Sequence, residues 1–386
     1  MAMIQKSVAK TVSIALVVVL LVSSLAIIGA NVAYAKSDKV SEMQKKAKAL
    51  QERLREMQEV RFERVKKMFN EKRLMFVDRG PNYVNFVSTK TEGGVQSFIL
   101  RIHSEGTPSI YTALANYTKE DGNRTLYWVN GMLKVFGLIE YIDKNGDGLY
   151  LQKDNDTRLQ YVNFAKLNWK LTVTKIAIDD VQGWKVQMIA NDRGATYNIT
   201  TQVFNTGVRL NDGTPVSPYE AKIDFSFENF PWSSQESRLA LITSFTGVSG
   251  TASVIHYADT TEVVRERNAY AYFTWVPTAI VDGEEGEEVV EVKVYRRSSR
   301  SEMMNYTEFN YPHGDKIVHD PVIGVLSGSI EDVPAYQLPA SFAQPTPVFP
   351  SFTLLATTVA VLAIVGVIIV AARKMIVEPK ILKTLH

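Results

Sequence analysis

The sequence predicts a mainly β protein: a β-sandwich-like ectodomain with an N-terminal amphipathic helix and a C-terminal transmembrane helix. Three observations carry this. From Val77 onward, apolar and polar residues alternate with period two, in short β-branched and aromatic segments separated by Asx and Gly turns. Residues 36–73 hold almost no helix breaker and are rich in Lys, Glu, Gln, Arg, Ala, Leu and Met. Two uncharged apolar runs, 13–30 and 352–372, bracket everything else.

At the N-terminus Lys6 and Lys10 precede the first apolar run, and Ala33-Tyr34-Ala35 follows it. That is the basic region, apolar region and small-x-small site of a secretory signal. Residues 1–35 therefore read as a signal peptide cleaved after Ala35. The run is long for a signal, so an uncleaved anchor is the alternative, and both leave the body on the outer side.

The next segment, 36–73, reads as a helix opened by Ser37 or by the capping box Ser41-Glu42-Met43-Gln44. Val40, Met43, Ala47, Leu50, Leu54 and Met57 alternate spacings of three and four, then the seam shifts to Phe62, Val65 and Phe69. Two readings fit: a coiled coil that makes a homo-oligomer through 40–69, or a single helix packed on its own body. Its 13 Lys/Arg against 7 Asp/Glu also suit an anionic lipid or wall polymer.

Strand-like segments then follow one another: 170–178, 184–189, 197–204, 221–227, 239–245, 252–257, 270–276 and 289–295. Turn signals at Asp179-Asp180, Asn211-Asp212-Gly213 and 283–286 separate them. Segment 131–142 fits strand or helix. The expected division is a β-rich region, 74–166, and a β-sandwich, 167–335, with the boundary set near Leu167. Residues 336–351 carry four prolines before Ser351 and read as a semi-rigid stalk. At 1.5 Å per residue, 352–372 spans roughly 30 Å, the thickness of a bilayer core. Arg373, Lys374, Lys380 and Lys383 against Glu378 place the tail 373–386 in the cytoplasm and the body outside the cell membrane. The succession Pro347-Val348-Phe349-Pro350-Ser351, apolar span and Arg-Lys resembles the C-terminal anchors of archaeal surface proteins, which implies placement and no activity.

One motif carries a mechanism. Asp143-Lys144-Asn145-Gly146-Asp147-Gly148, running on to Asp154, resembles an EF-hand-type calcium loop. The resemblance implies side-chain oxygens from Asp143, Asn145 and Asp147, the Leu149 carbonyl, and closure by Asp154, with Asp156 able to assist. Two departures stand out: Asp replaces the longer Glu at position twelve, and 159–164 looks extended, so no second helix follows. The resemblance implies a structural Ca2+; an Asx-rich turn without metal is the alternative.

Residues 74–350 hold 24 Lys/Arg against 33 Asp/Glu, a net of −9. With no basic stripe, nucleic acid is not an expected partner. The chain has no cysteine, which removes disulfides and thiolate sites. His313, Asp315, His319 and Asp320 could ligate zinc, but a turn and Pro321 interrupt them and no third distant ligand is identifiable. Glu262 with Glu266, or Asp179 with Asp180, could supply a glycosidase pair only if the fold spaces them correctly. Sequons at Asn116, Asn123, Asn155, Asn198 and Asn305 are candidate glycosylation sites. The expected function is a membrane-anchored surface protein with a structural, adhesive or envelope-associated role, bound to envelope proteins or glycans. The alternatives are a carbohydrate-binding or glycoside-cleaving module, using Trp128, Trp184, Trp232 or Trp275, and an accessory subunit or sensor for a membrane partner.

Overall fold

The computed structural model describes residues 73–336, apart from 91–94, 121–122, 152–155, 248–252, 284–285 and 299–303. It also describes 49, 52, 55–66, 68–69 and 71. The signal segment, most of the stalk, the apolar run 352–372, the tail, Asp154 and Asn155 lie outside the described residues. Among the described residues no helix is long and apolar enough to cross a membrane.

The described chain is mainly β and sandwich-like. Its first strands are β1 (Leu74–Arg79), β2 (Tyr83–Lys90), β3 (Val95–His103), β4 (Ser109–Glu120), β5 (Asn123–Ile142) and β6 (Thr157–Asn163). Next come β7 (Lys170–Ile178), β8 (Val181–Asp192), β9 (Ala195–Phe204), β10 (Val208–Arg209), β11 (Pro215–Val216) and β12 (Glu220–Glu228). Then follow β13 (Arg238–Thr246), β14 (Val254–Ala258), β15 (Thr261–Glu266), β16 (Ala269–Thr274) and β17 (Thr278–Gly283). The last are β18 (Gly286–Glu291), β19 (Lys293–Ser298), β20 (Met304–Tyr311), β21 (Lys316–His319) and β22 (Val322–Ser327).

The first sheet runs β1-β2-β3-β4-β5-β13-β20-β19, with β6 also on β5. The second runs β14-β15-β16-β22-β12-β21-β17-β18, and β9, β8 and β7 extend it from the other edge of β12. The ambiguous segment 131–142 is the second half of β5, the longest strand. β4 pairs with β5 as far as Lys134, and β6 takes over from Gly137. The handover needs glycine: Gly137 has φ +151°, and a Cβ there would collide with Val162 O.

Period-two alternation supplies the core. Phe86, Phe98, Leu100, Leu133 and Phe309 from the first sheet meet Ile199, Ile223, Phe225, Phe273 and Ile323 from the second in one cluster. The boundary expected near Leu167 is where the chain leaves the first sheet for the second. It does not separate two cores, because β5 and β13 pair across it.

The helix packs on its own body. Residues 55–66 and 68–69 are helical, with Arg61 and Val65 fully buried and Val60 exposed. Met68 packs against both the main core and an outer cluster of Val263, Tyr270, Tyr272, Leu326 and Val333. The 57–69 part of the 40–69 seam is thus intramolecular. Arg61 donates to Pro215 O and pairs with Glu220 Oε1 at 2.5 Å, with both side chains at 0% exposure. Glu220 also accepts from Tyr272 Oη (2.7 Å) and Ser217 N (2.7 Å). Arg64 donates to Val333 O at 2.9 Å, so helix and C-terminal segment are clasped together.

Breaking this pair on one side strands a buried charge. Arg61→Met is expected to cost about 3–5 kcal/mol. The double variant Arg61→Met/Glu220→Leu is expected to recover most of that loss, measured by urea unfolding. A single variant as stable as the wild type would remove the pair from the structural argument.

Candidate ligand recess and the acidic loop

The outer face of the first sheet carries an open recess of about 390 Å³. The pleat builds its floor. Glu308 on β20 lies opposite Tyr295 on β19 and Ile242 on β13, so three strands give one row. Tyr161 on β6 lies opposite Ile139 on β5 and closes the far side. Arg158, Arg297 and Tyr150 complete the polar and aromatic lining.

Glu308 is the chemically unusual member. Its side chain is 6% exposed, with Arg297 Nε at 3.4 Å from Oε1. Burial pushes the carboxyl up to about 7, and the guanidinium only partly opposes that. Arg297 also lies over the Tyr306 ring, 4.7 Å from its centroid. The recess thus offers tyrosine rings for flat apolar surfaces, guanidinium donors, and a carboxyl that donates or accepts near neutral pH.

The acidic loop supplies one wall through Tyr150 and Leu151. Asp143 accepts from Gly146 N and Gly148 N, both at 2.8 Å. Asn145 Oδ1 accepts from Asp147 N (3.0 Å), and Asp147 Oδ1 from Leu149 N (2.8 Å). Gly148 has φ +80°, the left-handed turn that motif position requires. Asp156 makes the closure that can be described, accepting from Lys144 N (3.0 Å) and Leu151 N (2.8 Å). Leu149 is buried. Asn310 Oδ1 accepts from Tyr150 N (2.9 Å) and sits 3.0 Å from Tyr141 Oη, which ties the loop to the sheet. Among the described residues no three His, Asp or Glu side chains converge to hold a metal.

The other sequence candidates disperse. His319 is buried, with Nδ1 2.9 Å from Tyr311 Oη and Nε2 2.8 Å from Val276 O. Burial lowers its pKa to about 4. His313 stacks on Trp232 at 4.0 Å, so the two histidines form no zinc site. Trp275 is fully buried; Trp184 and Trp232 pack on the core. Asp179 is a hairpin corner at φ 53° and Glu262 is enclosed at 0% exposure, so neither acidic pair flanks an open cleft. Asn305 is fully buried, and its Nδ2 donates to Glu262 Oε2 at 2.6 Å. Asn198 is half-buried on β9. Asn116 and Asn123 lie on β4 and β5, their side chains outside the description. Sequence reasoning missed the recess because its members come from five strands and a loop. The one local signal was tyrosine and arginine at alternate positions 295 and 297.

No family model matches the chain, and no curated protein does. Nine chains of solved structures match. One is the crystal structure of a glucosidase II alpha subunit, at 9% identity over 71% of this chain and 35% of that one, with a TM-score of 0.17. The chain spans about a third of that protein's length, and at that score the likeness carries no argument.

Glu308 generates a pH prediction. Its folded value of about 7 exceeds the ordinary 4.5, so its contribution is fully present below pH 4.5 and is lost as pH rises through 7. Raising pH from 5 to 8 is expected to destabilise the wild type relative to Glu308→Gln by roughly 2–3 kcal/mol, read by urea unfolding. Parallel curves for the two proteins would show Glu308 titrating normally.

Proposed function

We propose that this chain is a membrane-anchored cell-surface protein with an adhesive, envelope-associated role, and that the recess on the first sheet binds an envelope glycan. The observation that carries the reading is the recess lining: Tyr150, Tyr161 and Tyr295 with Arg158, Arg297 and Glu308. Sugar rings present C–H faces that stack on aromatic rings, and vicinal hydroxyls that match planar guanidinium and carboxyl groups. Among the described residues Glu308 is the only carboxylate in the lining, whereas glycoside cleavage ordinarily uses two. Binding is therefore favoured over cleavage. The apolar runs 13–30 and 352–372 and the basic tail support the anchored placement.

Calcium is the proposed brace of the loop that walls the recess. Each described oxygen of Asp143, and Oδ1 of Asp147, accepts one N–H, which leaves lone pairs for a hard cation. Asp143, Asn145, Asp147 and the Leu149 carbonyl would contribute, with Asp154 or Asp156 closing.

Two measurements test these readings on the full chain in detergent. A panel of neutral and acidic hexose oligosaccharides, titrated calorimetrically, is expected to yield a binder whose affinity falls about tenfold in Tyr161→Ala or Tyr295→Ala. A panel without binders would end the glycan reading. Calcium at millimolar concentration is expected to raise the thermal midpoint of the wild type and not of Asp143→Ala. An unchanged wild-type midpoint would make the loop an Asx turn alone.

A further inference from the structure

Away from the recess, β14, an edge strand of the second sheet, meets β20, the next-to-edge strand of the first. Two cross-strand pairs face each other there. His256 lies opposite Glu262 in the second sheet, and Ser298 lies opposite Asn305 in the first. His256 Nδ1 is 2.6 Å from Glu262 Oε1, and His256 Nε2 is 3.4 Å from Ser298 Oγ. Asn305 Nδ2 holds the other carboxylate oxygen, Oε2, at 2.6 Å. We infer that Ser298, His256 and Glu262 form a nucleophile–base–orienting relay, and that this seam carries an acyl-ester hydrolase activity.

Burial assigns the roles. Glu262 and Asn305 are at 0% exposure, the His256 side chain is at 24%, and Ser298 is exposed. The carboxylate draws the imidazole proton to Nδ1, which leaves the Nε2 lone pair facing the serine hydroxyl. The Asn305 amide orientation follows from chemistry, since its oxygen turned toward Glu262 would meet another acceptor. Structural pairing alone does not need an exposed serine aligned on Nε2. The seam also keeps unclaimed polar atoms: Asn305 Oδ1 and Thr307 Oγ1, on the same face of β20, are buried without a hydrogen-bond partner among the described residues. Arg296, two residues before Ser298 on the same face of β19, donates to Ala258 O at 2.7 Å and adds positive charge beside the seam.

The chemistry balances without a cofactor. Ser298 Oγ attacks the ester carbonyl carbon while its proton passes to His256 Nε2. The tetrahedral intermediate collapses with cleavage of the ester C–O bond, and the Nε2 proton leaves on the departing alcohol. Water, deprotonated by His256, then attacks acyl-Ser298, releasing a carboxylic acid and restoring the hydroxyl. Ser298 and His256 are the catalytic residues; Glu262 and Asn305 are positioning residues.

The test is covalent labelling of the full chain in detergent by an alkyl fluorophosphonate, with peptide mass spectrometry to locate the adduct. Wild type is expected to be labelled on Ser298, Ser298→Ala not there, and His256→Gln about a hundredfold more slowly. Glu262→Gln is expected to lower the maximal labelling rate while leaving the half-saturating probe concentration unchanged, which a merely structural role would not do. A second readout avoids the buried sites. The chain has no cysteine, so Ser298→Cys carries the sole thiol. Its alkylation by iodoacetamide at pH 6 is expected to exceed that of Ser327→Cys, an exposed control, by about tenfold or more. No adduct on Ser298, labelling indifferent to His256, or equal alkylation of the two thiols would each overturn the proposal.

Discussion

A buried ion pair governs which surfaces of this protein are open. Arg61 and Glu220 are both without solvent, and each would be costly alone. Their pairing, with Tyr272 donating to Glu220, fixes the helix against the outer face of the second sheet. The Arg64 bond to Val333 and the approach of Arg61 to the Tyr336 ring (5.8 Å) then set the final segment antiparallel to the helix. Together they cover Tyr270, Tyr272 and Leu326, which would otherwise be an apolar outer face. With the helix committed to the second sheet, the recess lies open on the outer face of the first among the described residues.

How much of this was legible depends on range. In β12, the pattern AKIDFSF puts Ile223, Phe225 and Phe227 in the core, as period two requires. The same pattern assigns Glu220, Lys222 and Asp224 to solvent, yet Glu220 and Lys222 are buried. Lys222 pairs with Asp224 and reaches Asp212 and Asp320 at 3.3 and 3.4 Å. Alternation reports that a strand has two faces; it does not report that a helix 159 positions earlier covers one. Crowding of three carboxylates around one ammonium also explains why Asp320 is pushed up to about 7: its desolvation outweighs the Lys222 charge, and Asp224 and Asp212 add to the rise.

Local chemistry read better than long-range chemistry. The loop 143–148 was legible because Asx and Gly spacing dictates its own hydrogen bonds. Its contact with Asn310 was not, since that residue lies 160 positions from Tyr150. His256 and Glu262 looked unrelated in sequence, six residues apart. The β14–β15 hairpin makes them a cross-strand pair, and nothing in either residue's neighbourhood announces that register.

The β19–β20 hairpin joins the two candidate sites through its pleat. Tyr295, Arg297 and Glu308 face the recess, while Arg296, Ser298 and Asn305 face the seam. A slip of one residue would exchange these sets. Three contacts oppose it: Asn310 Nδ2 donates to Lys293 O at 3.2 Å, Arg296 binds Ala258 O, and Arg297 pairs with Glu308. The first of these uses the same asparagine that anchors Tyr150 of the acidic loop. The loop, the recess and the seam therefore share one register, and a brace on the loop steadies the strand that presents Ser298 to His256.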